Sequence, residues 1–199
     1  TVDIYASMGE GERLDAVAGT SGQLKTVSST EGFWQSAYGG PTSQSINQAF
    51  YSVVPELRYD SRVTIGAYDS SGDPFPENSL GDVGIDFTNF ENGGALAADD
   101  GTWYVLPTDV QGGVLILEND DCEAGHGVLI ARLTAFGLDS EITLGALFQG
   151  RNALGVTFQA SATETFTLGD WADCNANGSN DSCDISSGSS ADDNGNGVP

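Results

Sequence analysis

The sequence is poor in basic side chains. It has six Lys and Arg residues against 29 Asp and Glu residues, Lys25 is the only lysine, and the formal net charge is -23. A field of this sign repels the phosphates of nucleic acids and anionic membrane surfaces, and it attracts divalent cations. The composition therefore excludes nucleic acid as a partner. It favours either cation loading or an acidic, solvated surface.

Long hydrophobic runs are also missing. No stretch approaches the ~20 apolar residues of a membrane span, so we expect no membrane insertion. No signal peptide is visible, and the chain opens at Thr1 with a strand-like segment, which predicts a processed, mature N-terminus. Together with the scarcity of lysine, this pattern predicts an extracellular or cell-surface protein.

Catalytic motifs are scarce as well. His126, the only histidine, lies between glycines in what reads as a turn, and no nucleophile elbow, phosphate-binding loop or histidine pair occurs. No pair of carboxylates stands out among the acids. We therefore expect no enzyme activity. Trp34, Tyr38 and Trp103 are candidates for a sugar-stacking platform, although core or edge packing is the more ordinary role of such residues.

One calcium-loop motif stands out near the C-terminus. The EF-hand template places oxygen ligands at loop positions 1, 3, 5, 7, 9 and 12 and a glycine at position 6. Gly178 occupies position 6. In order of loop position, the predicted Ca²⁺ ligands are Asp173, Asn175, Asn177, Ser179 through its carbonyl, Asp181 and Asp184. An aspartate at position 12 and only three formal charges predict a weak, structural extracellular site.

An incomplete copy of this loop follows. Asp192, Asn194 and Asn196 occupy positions 1, 3 and 5, and Gly197 occupies position 6. The sequence ends at Pro199, before positions 9 and 12. A half-loop cannot supply the six to eight oxygens that Ca²⁺ takes. We therefore expect a longer chain or a neighbouring chain to complete it.

The chain has three cysteines, so one is left over after any disulfide forms. Cys174 and Cys183 lie at positions 2 and 11 of the first loop and are candidates to pair when it closes around a cation. Cys122 is the alternative partner for either of them, and such a bond would join the tail to the body. The sequence leaves these pairings open.

The rest of the chain reads as all-β. Short runs rich in β-branched and aromatic residues alternate with Gly, Asn, Asp and Ser turns. This pattern predicts an antiparallel β-sandwich or jelly-roll body over residues 1–170 and a calcium-binding tail over 171–199. The predicted strands are Val2–Ser7, Leu14–Ala18, Gln23–Ser28, Phe50–Leu57, Arg62–Tyr68, Val83–Phe87, Thr102–Leu106, Val114–Leu117, Val128–Ala135, Glu141–Phe148, Leu154–Gln159 and Thr163–Leu168.

The tail motif Asp-Cys-Asn-x-Asn-Gly-x-x-Asp-Ser-Cys-Asp-Ile resembles the dockerin-like and thrombospondin type-3-like calcium repeats of secreted bacterial proteins, notably those of planctomycete type. The resemblance implies a secreted protein with calcium-ordered repeats, and a dockerin would imply a cohesin-type partner. The spacer Ile185–Ala191 is short and contains Gly188, which does not suit a dockerin recognition helix. The compact thrombospondin-type arrangement fits better.

These observations lead to two functional hypotheses. The first is an extracellular structural subunit of a filament, surface layer or matrix that self-associates into a homopolymer, with Ca²⁺ stabilising its tail and its subunit contacts. Strand addition at the two ends of the body, Thr1–Ser7 and Thr163–Leu168, is the expected mode of contact. The alternative is a carbohydrate-binding or adhesive module of a secreted protein, or a dockerin-like tether to a scaffold.

Overall fold

A computed structural model describes residues 1–118, 124–167 and 181–191. Within these ranges the chain forms strands β1 (Val2–Ser7), β2 (Arg13–Ala18), β3 (Lys25–Ser29), β4 (Arg62–Val63), β5 (Gly81–Val83), β6 (Leu96–Ala98), β7 (Thr102–Tyr104), β8 (Leu115–Glu118), β9 (Ala124–Leu133), β10 (Glu141–Arg151) and β11 (Thr157–Thr167). The α-helices are α1 (Thr88–Glu91) and α2 (Asp181–Ser187). The 3-10 helices are Ser43–Ser45, Gln48–Ser52, Pro55–Tyr59 and Val110–Gly112.

The strands form two antiparallel sheets. In the smaller sheet, β9 pairs with β1 along one edge and with β4 and β8 along the other. The larger sheet has the order β5-β7-β2-β10-β3-β6, and β11 pairs with β10 along its whole length. Because alternate residues of a strand point to the same face, each sheet presents one apolar face. These faces pack together, and the predicted all-β sandwich body is confirmed.

The core lies between the two sheets. It draws Val128, Ile130 and Leu133 from β9 of the smaller sheet, and Ile142 and Leu144 from β10 of the larger one. The apolar side chains of these two strands, alternating in β10 and continuous from Val128 to Ala131 in β9, therefore join the sheets. Burial of side chains of this size contributes about 1.5–3 kcal/mol each.

The region between β3 and β5 differs most from the sequence prediction. The predicted strand Phe50–Leu57 is wrong: the chain forms two successive 3-10 helices there. The Asn47 side chain caps the first by accepting a hydrogen bond from the backbone N–H of Ala49 at 3.0 Å. Pro55 begins the second, where its fixed φ suits a helical turn and its missing N–H costs nothing. Local backbone chemistry therefore overrides the β propensity of this segment.

The β10–β11 hairpin also differs from prediction. The sequence predicts Leu154–Gln159 and Thr163–Leu168 as separate strands, whereas β11 is one continuous strand of 11 residues. The turn lies earlier, where the Asn152 side chain accepts hydrogen bonds from the backbone of Leu154 and Val156 at 3.0 and 2.9 Å. Residues 160–162, Ala-Ser-Ala, contain no Gly, Pro, Asn or Asp, and the strand continues through them.

The predicted boundary between body and tail, after residue 170, lies outside the described residues and stays a prediction. No helix within the described ranges is long and apolar enough to cross a membrane.

Candidate functional site

Only part of the predicted calcium loop lies within the described residues. Asp181 and Asp184, at loop positions 9 and 12, belong to α2. The remaining predicted ligands lie outside the described residues, and their role stays a prediction. They are Asp173, Asn175, Asn177, Ser179, Asp192, Asn194 and Asn196.

Helix α2 begins inside the predicted loop. The sequence predicts too short a spacer after Asp184 for a recognition helix, but α2 starts at Asp181 and ends before Gly188, whose φ of 76° closes the helix. Residues three apart on a helix lie on the same face. Asp181 and Asp184 therefore share a face, and they are only 1% and 3% exposed. The Ser189 hydroxyl donates a hydrogen bond to Oδ1 of Asp184 at 3.0 Å.

Cys183 lies between these two aspartates in the sequence and is 2% exposed. The other two cysteines, Cys122 and Cys174, lie outside the described residues. The choice between the pairings therefore stays a prediction.

The body offers little other metal chemistry within the described ranges. No group of three or more His, Cys, Asp or Glu side chains there is arranged to hold a metal ion. Asp99 and Asp100, an acidic pair in the sequence, are exposed. The acidic run around Cys122 lies outside the described residues.

The other candidate residues are dispersed. His126 is part of strand β9, not of a turn, and is half-buried. Trp103 is fully buried, and its indole N–H donates a hydrogen bond to the Thr64 carbonyl oxygen at 3.0 Å. Trp103 is thus a core residue and cannot stack on a sugar. Tyr38 is 66% exposed, whereas Trp34 is half-buried.

A groove runs along one side of the sandwich. It has a volume of about 970 Å³ and opens to solvent between β1, at the edge of the smaller sheet, and β11, which flanks β10 in the larger sheet. Its apolar walls include Ile4, Leu144, Phe148, Phe158 and Phe166. Among the described strands, β1 pairs only with β9 and β11 only with β10. The groove is therefore bordered by two strand edges to which no described strand is added.

One side of the groove is stabilised by charge pairing. The Arg132 guanidinium donates two hydrogen bonds of 2.6 Å to the Asp3 carboxylate and lies 4.8 Å from the Tyr68 ring. Burial opposes the charge on Arg132, but the hydrogen bond and the charge of Asp3 outweigh it and raise the pKa of Arg132. The hydroxyls of Tyr5 and Tyr68 are 2.8 Å apart. These contacts join β1 to the body at the groove.

The β11 side of the groove is more exposed to solvent. β11 directs alternate residues toward the groove, and the central three of them, Ala160, Ala162 and Glu164, are exposed. No salt bridge to Glu164 occurs among the described residues. In the sequence, the residues of this wall are the even-numbered ones from 158 to 166. This alternation predicts a strand, but it does not reveal that the strand lies at the edge of a sheet.

Comparisons with known proteins provide no further guide to this site. No family model matches the chain, and no match was found among the curated proteins or the solved structures.

Proposed function

We propose that this chain is a secreted, extracellular structural subunit that self-associates into a filament, surface layer or matrix, with Ca²⁺ stabilising its tail and its subunit contacts. The observation that carries the proposal is the apolar groove between β1 and β11. An open strand edge presents a row of backbone N–H and C=O groups to a neighbouring strand. Two such edges beside an apolar groove provide both hydrogen-bonding partners and a place to bury side chains.

Exposed apolar side chains support the same proposal. At the tip of the β10–β11 hairpin, Leu154 is 88% exposed and Val156 is 59% exposed. Two exposed apolar residues close together at a hairpin tip suit a contact between chains better than a surface that stays in water. The tip and the groove therefore both favour self-association.

The calcium part of the proposal rests on the tail. The loop motif places ligands at positions 9 and 12, and the residues at these positions, Asp181 and Asp184, share one buried face of α2. Buried carboxylates need a cation or several donors to offset the loss of hydration. A site with three formal charges suits the ~10⁻⁴–10⁻³ M affinity of extracellular modules. Such a site is filled only where calcium is abundant, that is, outside the cell.

A disulfide in the tail belongs to the same proposal. Cys183 is buried, as a cysteine held in a disulfide bond would be. Cys174 and Cys122 are its two candidate partners. Peptide mapping by mass spectrometry without reduction distinguishes them, because the linked peptides differ in mass.

Sedimentation velocity and electron microscopy of the full chain, in millimolar Ca²⁺ and in excess chelator, test the proposal. We expect large assemblies with Ca²⁺ and smaller species with chelator. The double variant Asp181→Asn with Asp184→Asn is expected to need at least about ten times more Ca²⁺ to assemble, because two charged ligands are lost. Asp139→Asn, at an exposed position of the body, is the matched control and should leave the Ca²⁺ concentration needed for assembly unchanged.

The outcomes separate the parts of the proposal. Assemblies that survive exhaustive chelation contradict the role of calcium but remain consistent with a structural subunit. A monomer under both conditions, at high protein concentration, contradicts the subunit. That result favours the carbohydrate-binding or cohesin-binding alternatives, which a glycan array would then distinguish.

A further inference from the structure

The outer edge of β11 is the most accessible strand edge beside the groove. β11 pairs with β10 through all 11 residues, from Thr157–Arg151 to Thr167–Glu141, without a register shift. No described strand pairs with its other edge. Eight of its residues are exposed and none is buried. β11 therefore presents a long, regular edge to solvent.

Strands of this kind usually carry protection against pairing. Proteins protect edge strands with charged side chains, above all lysine, with proline or bulges, or by keeping them short or covered. β11 is long and regular and has no lysine, proline or bulge; in its sequence, Thr-Phe-Gln-Ala-Ser-Ala-Thr-Glu-Thr-Phe-Thr, Glu164 is the one charged residue. By contrast, β1 on the opposite side of the groove is short and has a bulge between Ile4 and Tyr5. The less protected edge, that of β11, is the one that suits a partner strand.

The β11 sequence is close to symmetric about its central residue, Ala162. If a second copy of β11 lies antiparallel with its own Ala162 opposite, residues whose numbers are equally far from 162 face each other. The opposed pairs are then Ala162–Ala162, Thr163–Ser161, Glu164–Ala160, Thr165–Gln159, Phe166–Phe158 and Thr167–Thr157. Opposed residues share a face of the sheet and interact directly. Aromatic residues meet aromatic residues, and small polar residues meet small polar residues.

The charges favour this register. Each Glu164 faces Ala160 of the other copy, so the two acids lie four residues apart along the pair, or ~13 Å at ~3.3 Å per residue. That separation exceeds the Debye length of ~8 Å at physiological salt. A parallel, in-register pair would instead place Glu164 against Glu164. The high negative charge of the chain therefore disfavours the parallel pair and tolerates the antiparallel one.

The end face around β11 is large enough for a dimer contact. Eleven residues at ~3.3 Å span ~36 Å, and two sheets packed ~10 Å apart are ~20 Å thick with their outer side chains, so the whole end face measures ~700 Å² on each copy. Complete burial of both end faces would remove ~1,400 Å² from solvent, which is the upper limit for this contact and lies within the range of stable interfaces. Phe158 and Phe166 line the groove of each copy. Their counterparts from the second copy would extend this apolar wall across the two-fold axis.

We propose that two copies of this chain pair antiparallel through the outer edges of β11, with the two-fold axis at Ala162. The larger sheets of the two copies then form one continuous sheet. This dimer contact is one form of the self-association proposed above, and in that respect it rests on the proposed function. It does not depend on the calcium part of that proposal.

Cysteine cross-linking tests the register. In either type of antiparallel pair, opposed Cα atoms are ~4.5 or ~5.5 Å apart, and both distances suit a disulfide. Ala162→Cys is expected to form a dimer linked by a disulfide between the two copies of position 162 on mild oxidation, identified by peptide mapping against the parent chain. Thr163→Cys is the matched control and is expected to give no such dimer, because its counterpart lies two residues away along the pair. Ser161→Cys combined with Thr163→Cys restores the cross-link.

Charge substitution at Ala160 gives a second, reversible test. Ala160→Lys places a cation opposite Glu164 twice per dimer, whereas Ala160→Glu places an acid there twice. Cross-strand charge pairs contribute ~0.2–1 kcal/mol each, so the dimer Kd is expected to fall about 2- to 30-fold with Lys and to rise about 2- to 30-fold with Glu. Ala97 is exposed on β6, at the far edge of the same sheet. Ala97→Lys and Ala97→Glu should leave the Kd unchanged.

All measurements are made with chelator present and, in parallel, with Ca²⁺. A cross-link at position 162 with opposite effects of Lys and Glu at position 160 supports the proposal, whether or not larger assemblies need calcium. A monomer throughout, the absence of the position-162 cross-link in a variant that otherwise assembles like the parent, or equal effects of Lys and Glu overturns it. Calcium-dependent assembly without the cross-link would support the proposed structural subunit but contradict the β11 contact.

Discussion

The most quantitative prediction concerns Lys25. The only lysine of the chain is fully buried in the sandwich. Its Nζ lies 5.3 Å from the centre of the Trp103 ring and donates a hydrogen bond to the Asp100 carbonyl oxygen at 3.2 Å. Burial lowers the pKa of Lys25 from 10.5 to about 8, against the opposing influence of the Asp100 and Asp82 charges. Keeping Lys25 protonated therefore lowers the free energy of unfolding of the protein.

The direction of the pH dependence follows from proton binding. Between pH 8 and 10.5 the unfolded chain keeps the proton on Lys25 and the folded chain has released it. Stability rises with pH wherever the unfolded state binds more protons. At ~1.36 kcal/mol per pKa unit, Lys25 should add about 2 kcal/mol to the free energy of unfolding between pH 7 and pH 9.5. The gain begins near pH 8 and is absent below it.

Urea unfolding at a series of pH values from about 7 to about 9.5 measures this contribution. Lys25→Met keeps a similar apolar stem without the charge, so the difference between parent and variant isolates the contribution of Lys25. That difference should change by about 2 kcal/mol in favour of the parent as the pH rises. Arg58→Met removes a cation from an exposed position and should run parallel to the parent. Parallel curves for the parent and Lys25→Met would refute the reasoning.

Two further predictions concern stability. Asp3→Ala removes both short hydrogen bonds to Arg132, so the free energy of unfolding should fall by about 2 kcal/mol. A double-mutant cycle with Arg132→Met should show that most of this loss is shared, and additive losses would contradict the pairing. Trp103→Phe leaves a cavity and an unpaired Thr64 carbonyl in the core and should cost about 3 kcal/mol in urea unfolding; a cost below about 1 kcal/mol would show that Trp103 is not packed as described.

The long central strands were the easiest to predict. β10 has apolar residues at alternate positions, a period that indicates a strand with one buried face, whereas β9 contains a continuous apolar run from Val128 to Ala131, which is typical of a fully buried strand. Most predicted strands are present within a few residues of their expected bounds. The short strand β6 was missed, because Leu96–Ala98 lies in a glycine- and alanine-rich segment with no alternation to detect.

Predictions failed where backbone contacts decided the structure. The run from Val63 to Ala67 alternates well, yet β4 ends at Val63. Gly66 has a φ of +76°, which favours glycine, and a Cβ there would overlap the Gln111 carbonyl oxygen. The close approach of the 3-10 helix Val110–Gly112 therefore bends this segment. That neighbour is distant along the chain and leaves no trace in the local pattern.

The sequence by itself determined the all-β class of the body and marked the calcium-loop motif of the tail, because alternation and ligand spacing are local properties of the chain. Only the tertiary structure decided that Trp103 and Lys25 are core residues and that β11 has an open outer edge beside an apolar groove. Those properties depend on which distant strands pair with each other and in what order. A strand at the edge of a sheet and one at its centre differ in their neighbours, and those neighbours come from distant parts of the chain.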